Sequence, residues 1–352
     1  MDASIYKCPN CDAELVFDPQ SQQVNCLYCR STFTMEHIKE LYGDIAPPTE
    51  PVQENKSPDD NDAHANLYHC STCGADIIAD ADTTATFCYY CHNPVILAGR
   101  LTGDYKPSKI IGFQITREQA VNAFRNWCGS KKFIPSGFKS DRQLEKMTGL
   151  YVPFWVTNCR VRADYSAIGK KIRSWSSGSY RYTETSEYSV ERCADIIAKG
   201  IPADGASKIE DLLMESIEPY DYSALKDFSM AYFSGFYADK YDVDKAGVFP
   251  RIRERANEAG KSVVRESVGG YSQLSVRNES YEVAKTDWQY IMLPVWFMTY
   301  QYNGKMYEFA INGQTGKLAG TPPLDKGKLL RFSALIFAAV AFMIFLGGQF
   351  FI

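Results

Sequence analysis

Eight cysteines carry the clearest chemical signal in this 352-residue sequence. Cys8, Cys11, Cys26 and Cys29 follow the spacing Cys-x2-Cys-x14-Cys-x2-Cys, and Cys70, Cys73, Cys88 and Cys91 repeat it. Two residues between thiols let a tight turn aim both sulfurs at one point. The segment between the pairs returns the chain with the other two. Four thiolates at about 2.3 Å close a tetrahedral shell and leave no position for water or substrate. Each set therefore reads as a structural zinc site, two ions in all, although iron in a rubredoxin-like centre also suits four thiolates. The leading residues MDASIYKCPNC lack a basic stretch followed by an apolar run. The expectation is a chain that is not exported, whose reducing surroundings favour metal-ligating thiols over disulfides.

The elements that position these cysteines form a repeated module. Residues 6–33 and 68–95 align without a gap at a shift of 62. Tyr6, Ala13 and Tyr28 recur as Tyr68, Ala75 and Tyr90, along with all four cysteines. This is an internal duplication of one small β unit. A ribbon this short has little core, so metal binding should supply much of its folding free energy. A chelator is therefore expected to unfold both ribbons and leave the region after residue 100 folded. His69 and His92 adjoin ligand cysteines and could hydrogen-bond a thiolate. Between the modules, residues 43–66 hold six acidic residues and four prolines with almost no large apolar group. They read as a linker, either a spacer or an acidic docking segment.

The formal net charge of −4 speaks against a general polyanion binder. The first ribbon sets Lys7 and Arg30 against Asp12, Glu14 and Asp18, and the second has no lysine or arginine between Tyr68 and Val95. Neither module offers much phosphate neutralisation, so protein contact is the expected role of the ribbons, with nucleic-acid binding as the alternative. No P-loop, GxGxxG or HExxH motif occurs, and no histidine follows His92, so no enzymatic activity is expected. Cys128, Cys159 and Cys193 read as buried structural cysteines.

Residues 100–325 read as a mixed α+β region with an antiparallel sheet. Thr116 and Gln119 form a capping box for a helix with apolar positions Ala120, Ala123, Phe124 and Trp127. A short helix is expected from Ser140, and further helices over 205–217 and 245–259. Strands are expected over 151–168, 180–197 and 288–313, with a hairpin turn at Asn303-Gly304 and another turn at 312–316. YVPFW at 151–155 and MLPVW at 292–296 are alike and raise a second duplication. Residues 332–352 run without a charge. As a helix they would span about 31 Å, the thickness of a hydrocarbon core. Lys326, Lys328 and Arg331 flank only their N-terminal side, which predicts a single-pass C-terminal anchor with the bulk of the chain in the cytoplasm.

The chain is thus read as ribbon 1 (1–42), linker (43–66), ribbon 2 (67–99), α+β region (100–325) and anchor (326–352). In this combination it resembles bacterial tail-anchored proteins with transcription-factor-IIB-type double zinc ribbons. The matching features are the paired cysteine modules, YVPFW, the stretch 219–244, LPVW…NGQTGK at 293–317 and the terminal apolar run. Some members are encoded beside a phage-shock-type membrane-stress protein and a flotillin-like protein. The resemblance implies a membrane-anchored adaptor in envelope maintenance, with such proteins as partners at the cytoplasmic membrane face and lipid contacted through 332–352. The alternative is a membrane-tethered nucleic-acid-binding protein.

Overall fold

The computed structural model describes residues 6–42, four short strands between 65 and 96, and residues 107–349 apart from 146, 208, 239, 240 and 242. The first ribbon comprises β1 (Leu15–Asp18), β2 (Gln23–Cys26) and β3 (Thr32–Phe33), followed by α1 (Met35–Tyr42). The second region contributes two antiparallel pairs, β4 (Ala65–His69) with β5 (Asp76–Asp80) and β6 (Ala85–Phe87) with β7 (Pro94–Ile96). Beyond it come β8 (Lys109–Ile110), α2 (Arg117–Gly129), α3 (Asp141–Leu144), β9 (Thr148–Ser177), β10 (Tyr180–Asp204) and α4 (Asp211–Ser216). The chain continues through β11 (Lys226–Asp227), β12 (Tyr237–Ala238), α5 (Lys245–Ser267), β13 (Gln273–Tyr302), β14 (Lys305–Asn312) and β15 (Leu318–Gly320) to α6 (Lys326–Gln349).

One sheet organises the body, in the order β10-β9-β13-β14-β15, with β8, β11 and β12 attached at its flanks. At one end of β9 and β13 both faces are covered, because side chains alternate across a strand. Tyr151, Trp155, Tyr290, Met292 and Trp296 join a core under α2 and α5, while Val152, Phe154, Ile291 and Leu293 join a second core under α4. Helix α2 begins at the expected capping box, with Gln119 N–H on Thr116 Oγ1 and Thr116 N–H on Gln119 Oε1. Helix α5 passes the expected end at 259 and runs to Ser267. Gly260 lies within it where an added Cβ would stand 3.1 Å from Val161, so the glycine serves a close helix–sheet crossing rather than a stop.

Arg251 and Arg255 fasten α5 to the rest. Arg251 meets Asp204 at 2.7 Å, Asp211 at 2.9 Å and Glu215 at 3.1 Å, and Arg255 grips Glu218 with its two terminal guanidinium nitrogens. Burial pushes the Asp204 carboxyl above its ordinary value, an effect Arg251 only partly offsets.

The two similar motifs lie side by side in the sheet. Tyr151 pairs with Pro294, Val152 with Leu293 and Pro153 with Met292, antiparallel. Their tryptophans repeat one arrangement. Trp155 Nε1 donates to Val243 O at 3.0 Å, just before the N-cap Asp244 of α5; Trp296 Nε1 donates to Ile115 O at 2.9 Å, just before the N-cap Thr116 of α2. Trp155 meets Tyr241 at 5.0 Å and 60°, and Trp296 meets Phe113 at 5.0 Å and 59°. A short strand runs parallel to each motif, β12 on β9 and β8 on β13.

The expected turns are present. Asn303, in a left-handed conformation, and Gly304 link β13 to β14 at the pair Tyr302–Lys305. Buried Asn312 organises the next turn, accepting from the Gln314 and Thr315 amides and donating to Ile217 O. The helix expected over 205–217 is confined to α4. Cys128 and Cys159 are buried as expected, and burial raises both thiols, Cys128 to about 11; Cys193 is instead exposed, because it lies on the open face of edge strand β10.

Helix α6 leaves the body rather than entering it. The preceding Asp325 amide donates to Phe133 O at 2.7 Å, Lys328 Nζ donates to Ile134 O at 2.7 Å, and Phe332 packs on Phe133. Further along, Leu335, Phe337 and Phe342 are exposed. Among the described residues this is one helix long and apolar enough to cross a membrane.

Candidate metal centre

The first four cysteines converge. The Sγ atoms of Cys8, Cys11, Cys26 and Cys29 all lie within 4.8 Å of one another. Cys8 and Cys29 sulfurs stand 3.5 Å apart, as do those of Cys11 and Cys26. These separations exceed a disulfide bond of about 2.05 Å. They match the spacing of roughly 3.8 Å between sulfurs that share a tetrahedral zinc at about 2.3 Å. The donor set therefore fits a closed metal site of four thiolates.

Two turns of the same design make the cluster. After Cys8, the Asp12 amide returns to Cys8 O at 2.8 Å, and Asp12 takes φ +59°. After Cys26, the Arg30 amide returns to Cys26 O at 3.0 Å, and Arg30 takes φ +60°. The chain rises out of each turn in the left-handed region, where asparagine, aspartate and glycine are at ease and arginine is unusual. The Cys29 amide points at Cys26 Sγ at 3.4 Å, a contact that favours a thiolate. The Ser31 hydroxyl, 3.1 Å from Cys29 Sγ, pulls that thiol down to about 6. At Cys11 the Ala13 amide acts in the same sense, but burial and the three neighbouring sulfurs outweigh it and drive the thiol up to about 12. The Cys29 thiol thus gives up its proton more readily than the Cys11 thiol, and a bound cation would compensate the charge of the thiolates.

The ribbon is docked on the body. Phe17 projects from β1 into the main core and is 1% exposed, meeting Tyr232 at 5.1 Å and Phe236 at 6.3 Å. The Phe17 amide donates to Ser234 O at 2.9 Å, and Gln22 Nε2 donates to Phe113 O at 2.7 Å. A Cβ on Gly112 would sit 3.0 Å from both Gln22 and Tyr232, a tight fit that glycine avoids where ribbon and body approach closely. Metal loss, expected to leave the region after residue 100 folded, bears on that region through Phe17. A ribbon that places Phe17 in the body cannot unfold without opening that core. On its outer side the metal knuckle presents Leu27 and Tyr28, which are 71% and 82% exposed.

Cys70, Cys73, Cys88 and Cys91 lie outside the described residues, as do His92 and residues 43–64 of the linker, whose last two residues belong to β4. The strands that flank them are described, and their pairing carries information. In the first ribbon Lys7 pairs with Glu14 and Asn25 with Thr32. In the second, His69 pairs with Asp76 and Phe87 with Pro94, the same two registers at the same shift of 62.

No other residues of the body form a comparable cluster among those described. A surface groove bordered by Ser207, Glu210, Lys305 and Glu308 contains one shifted carboxylate, Glu308, raised by burial.

Fold and site together define an α+β protein with an antiparallel sheet, a four-cysteine cluster able to hold a metal ion, and a C-terminal helix of membrane-spanning length and composition. No family model matches the chain, and no solved structure matches it. It is 34% identical over 324 residues to "Uncharacterized protein YdjG" of Bacillus subtilis (strain 168), an alignment covering 92% of this chain and 91% of that protein. The chain belongs to the family of that protein.

Proposed function

We propose that this chain is a membrane-anchored, zinc-binding adaptor that presents its ribbons and α+β body to protein partners in envelope stress or membrane maintenance. The observation that carries the reading is α6, an apolar helix whose sides stay exposed while its base is fixed to a folded body. A helix of this kind needs a hydrophobic medium around it. Lys326, Lys328 and Arg331 at its base favour a cytoplasmic body in the cell membrane. The fit of the first cluster and the repeated register of the second support zinc in both cysteine sets. Leu27 and Tyr28 supply an exposed apolar contact beside the metal, and ribbon 2 carries Tyr89 and Tyr90 at the equivalent positions. The resemblance to double-ribbon tail-anchored proteins points to phage-shock-type or flotillin-like partners.

The test is fractionation and cross-linked pull-down from native membranes. The intact chain should float with membranes and recover a cytosolic protein, and both should be lost on deletion of residues 332–352. An intact chain that stays soluble, or a pull-down without protein above background, would overturn the proposal. Recovery of nucleic acid with steep salt sensitivity would favour the alternative reading instead.

A further inference from the structure

The most unusual feature of the fold is the length of its strands. At about 3.3 Å per residue, thirty-residue β9 and β13 extend close to 100 Å. β13 ends its pairing at Gln273, opposite Lys170, so residues 171–186 form a bare two-stranded ribbon. Isolated two-stranded ribbons are marginal in water, and long open edges invite pairing.

The two edges of this ribbon differ. The β9 edge carries Lys171 and Arg173, the kind of residues that discourage strand addition. The β10 edge, from Tyr180 to Ala198, contains no lysine and no proline and holds its register with β9 without a shift. It has no strand on its outer side among the described residues. Gly178 at φ +58° starts a two-residue turn closed by the Ser177–Tyr180 pair, which makes that pair a hydrogen-bonded one. Strand alternation then aims the backbone groups of Arg181, Thr183, Thr185 and Glu187 outward.

We infer that this edge pairs antiparallel with the same edge of a second copy, about a two-fold axis at Thr185. Charge narrows the register. An axis at Glu184 or Glu187 would set that glutamate against itself, which is destabilising. At Thr185 the facing pairs are Thr183 with Glu187, Arg181 with Ser189, Glu184 with Ser186, Tyr182 with Tyr188 and Tyr180 with Val190. No like charges meet, and the tyrosine pair occurs twice. This register also ends where α5 begins to cover β10, since Val190 is already buried beneath Val264 and Val268. Tyr180, Tyr182 and Tyr188 are all exposed in one chain. With the backbone edge of this pairing they form the surface that a second copy would cover. Confinement to a bilayer would raise the effective concentration. The axis, normal to the sheet, keeps corresponding faces of both copies on one side of the joined sheet.

The test uses the full chain in detergent micelles. T185C should form a disulfide-linked dimer under mild oxidation, well above the wild type and above E191C, whose cysteines would lie far apart. T185K, at an exposed position, should keep the fold and sediment as a monomer while the wild type sediments as a dimer. A monomeric wild type, equal cross-linking of T185C and E191C, or a T185K chain that dimerises like the wild type would each overturn the inference.

Discussion

The ribbon of residues 6–42 and the body of residues 107–320 reach a folded state by different means. The body buries two apolar cores, one on each side of its sheet, and fastens its long helix with buried arginine–carboxylate contacts. The ribbon has a handful of buried side chains, Tyr6, Leu15, Val24, Phe33 and Ile38 among them, arranged around four sulfurs. One module is held by hydrophobic area, the other by coordination and by its contact with the neighbour. Phe17 is the point where the two meet, since it starts in a ribbon strand and ends in the body's core.

The sharpest way to break this comparison is to remove a ligand. Cys26→Ser should cost the ribbon most of the metal-linked folding energy, about 10–16 kcal/mol in small zinc domains. Hydrogen exchange should show residues 6–42 unprotected, with added exchange around Tyr232 and Phe236, while β9 and β13 stay protected. Full loss of protection throughout the body would show that the two regions do not differ in this way.

Next in size is Phe17→Ala, expected to destabilise by about 3–5 kcal/mol as a large buried aromatic is removed. Denaturant unfolding should register the loss in the body as well as the ribbon, with the metal site still able to form. An effect confined to the ribbon would separate the two regions.

Arg251→Ala examines the body alone. It leaves Asp204 buried without its charge partner and should cost about 3 kcal/mol at neutral pH. Asp204 already has a raised carboxyl pKa, and removing Arg251 raises it further. A folded-state pKa above the unfolded one means that the folded protein binds the proton more readily. The variant should therefore regain stability relative to wild type as pH falls through that raised value. Thermal melts between pH 7 and pH 5 check the sign, and the metal content should not change.

The smallest effect compares the body's two halves. Trp155→Phe and Trp296→Phe each remove one indole hydrogen bond to the residue ahead of a helix N-cap, and each should cost about 1–2 kcal/mol. Strongly unequal costs would show that the matched geometry is not matched in energy.

What can be read from the amino-acid sequence follows the same division. Coordination leaves a fixed spacing of unmistakable residues, so the four cysteines of the first cluster stand out from their order along the chain alone. Capping and turn chemistry are equally legible at Thr116–Gln119 and Asn303-Gly304, because they depend on a few adjacent side chains. The long strands are visible only in their covered parts. Residues 171–177 sit where neither face of the ribbon is buried, so no alternation marks them as strand. In β13, register shifts between Val276 and Asn278 and between Val283 and Lys285 interrupt the pattern. The end of α5 is hidden by Gly260, which resembles a stop until the sheet beneath it is seen. The docking of the ribbon rests on Phe17, a residue that looks at home in its own strand.

X-ray absorption at the zinc edge of the purified full chain tests most directly whether coordination holds the ribbons. Two zinc ions per chain are expected, each surrounded by four sulfurs at about 2.3 Å. A chain without bound metal, or one whose metal is held by oxygen or nitrogen ligands, would contradict that expectation.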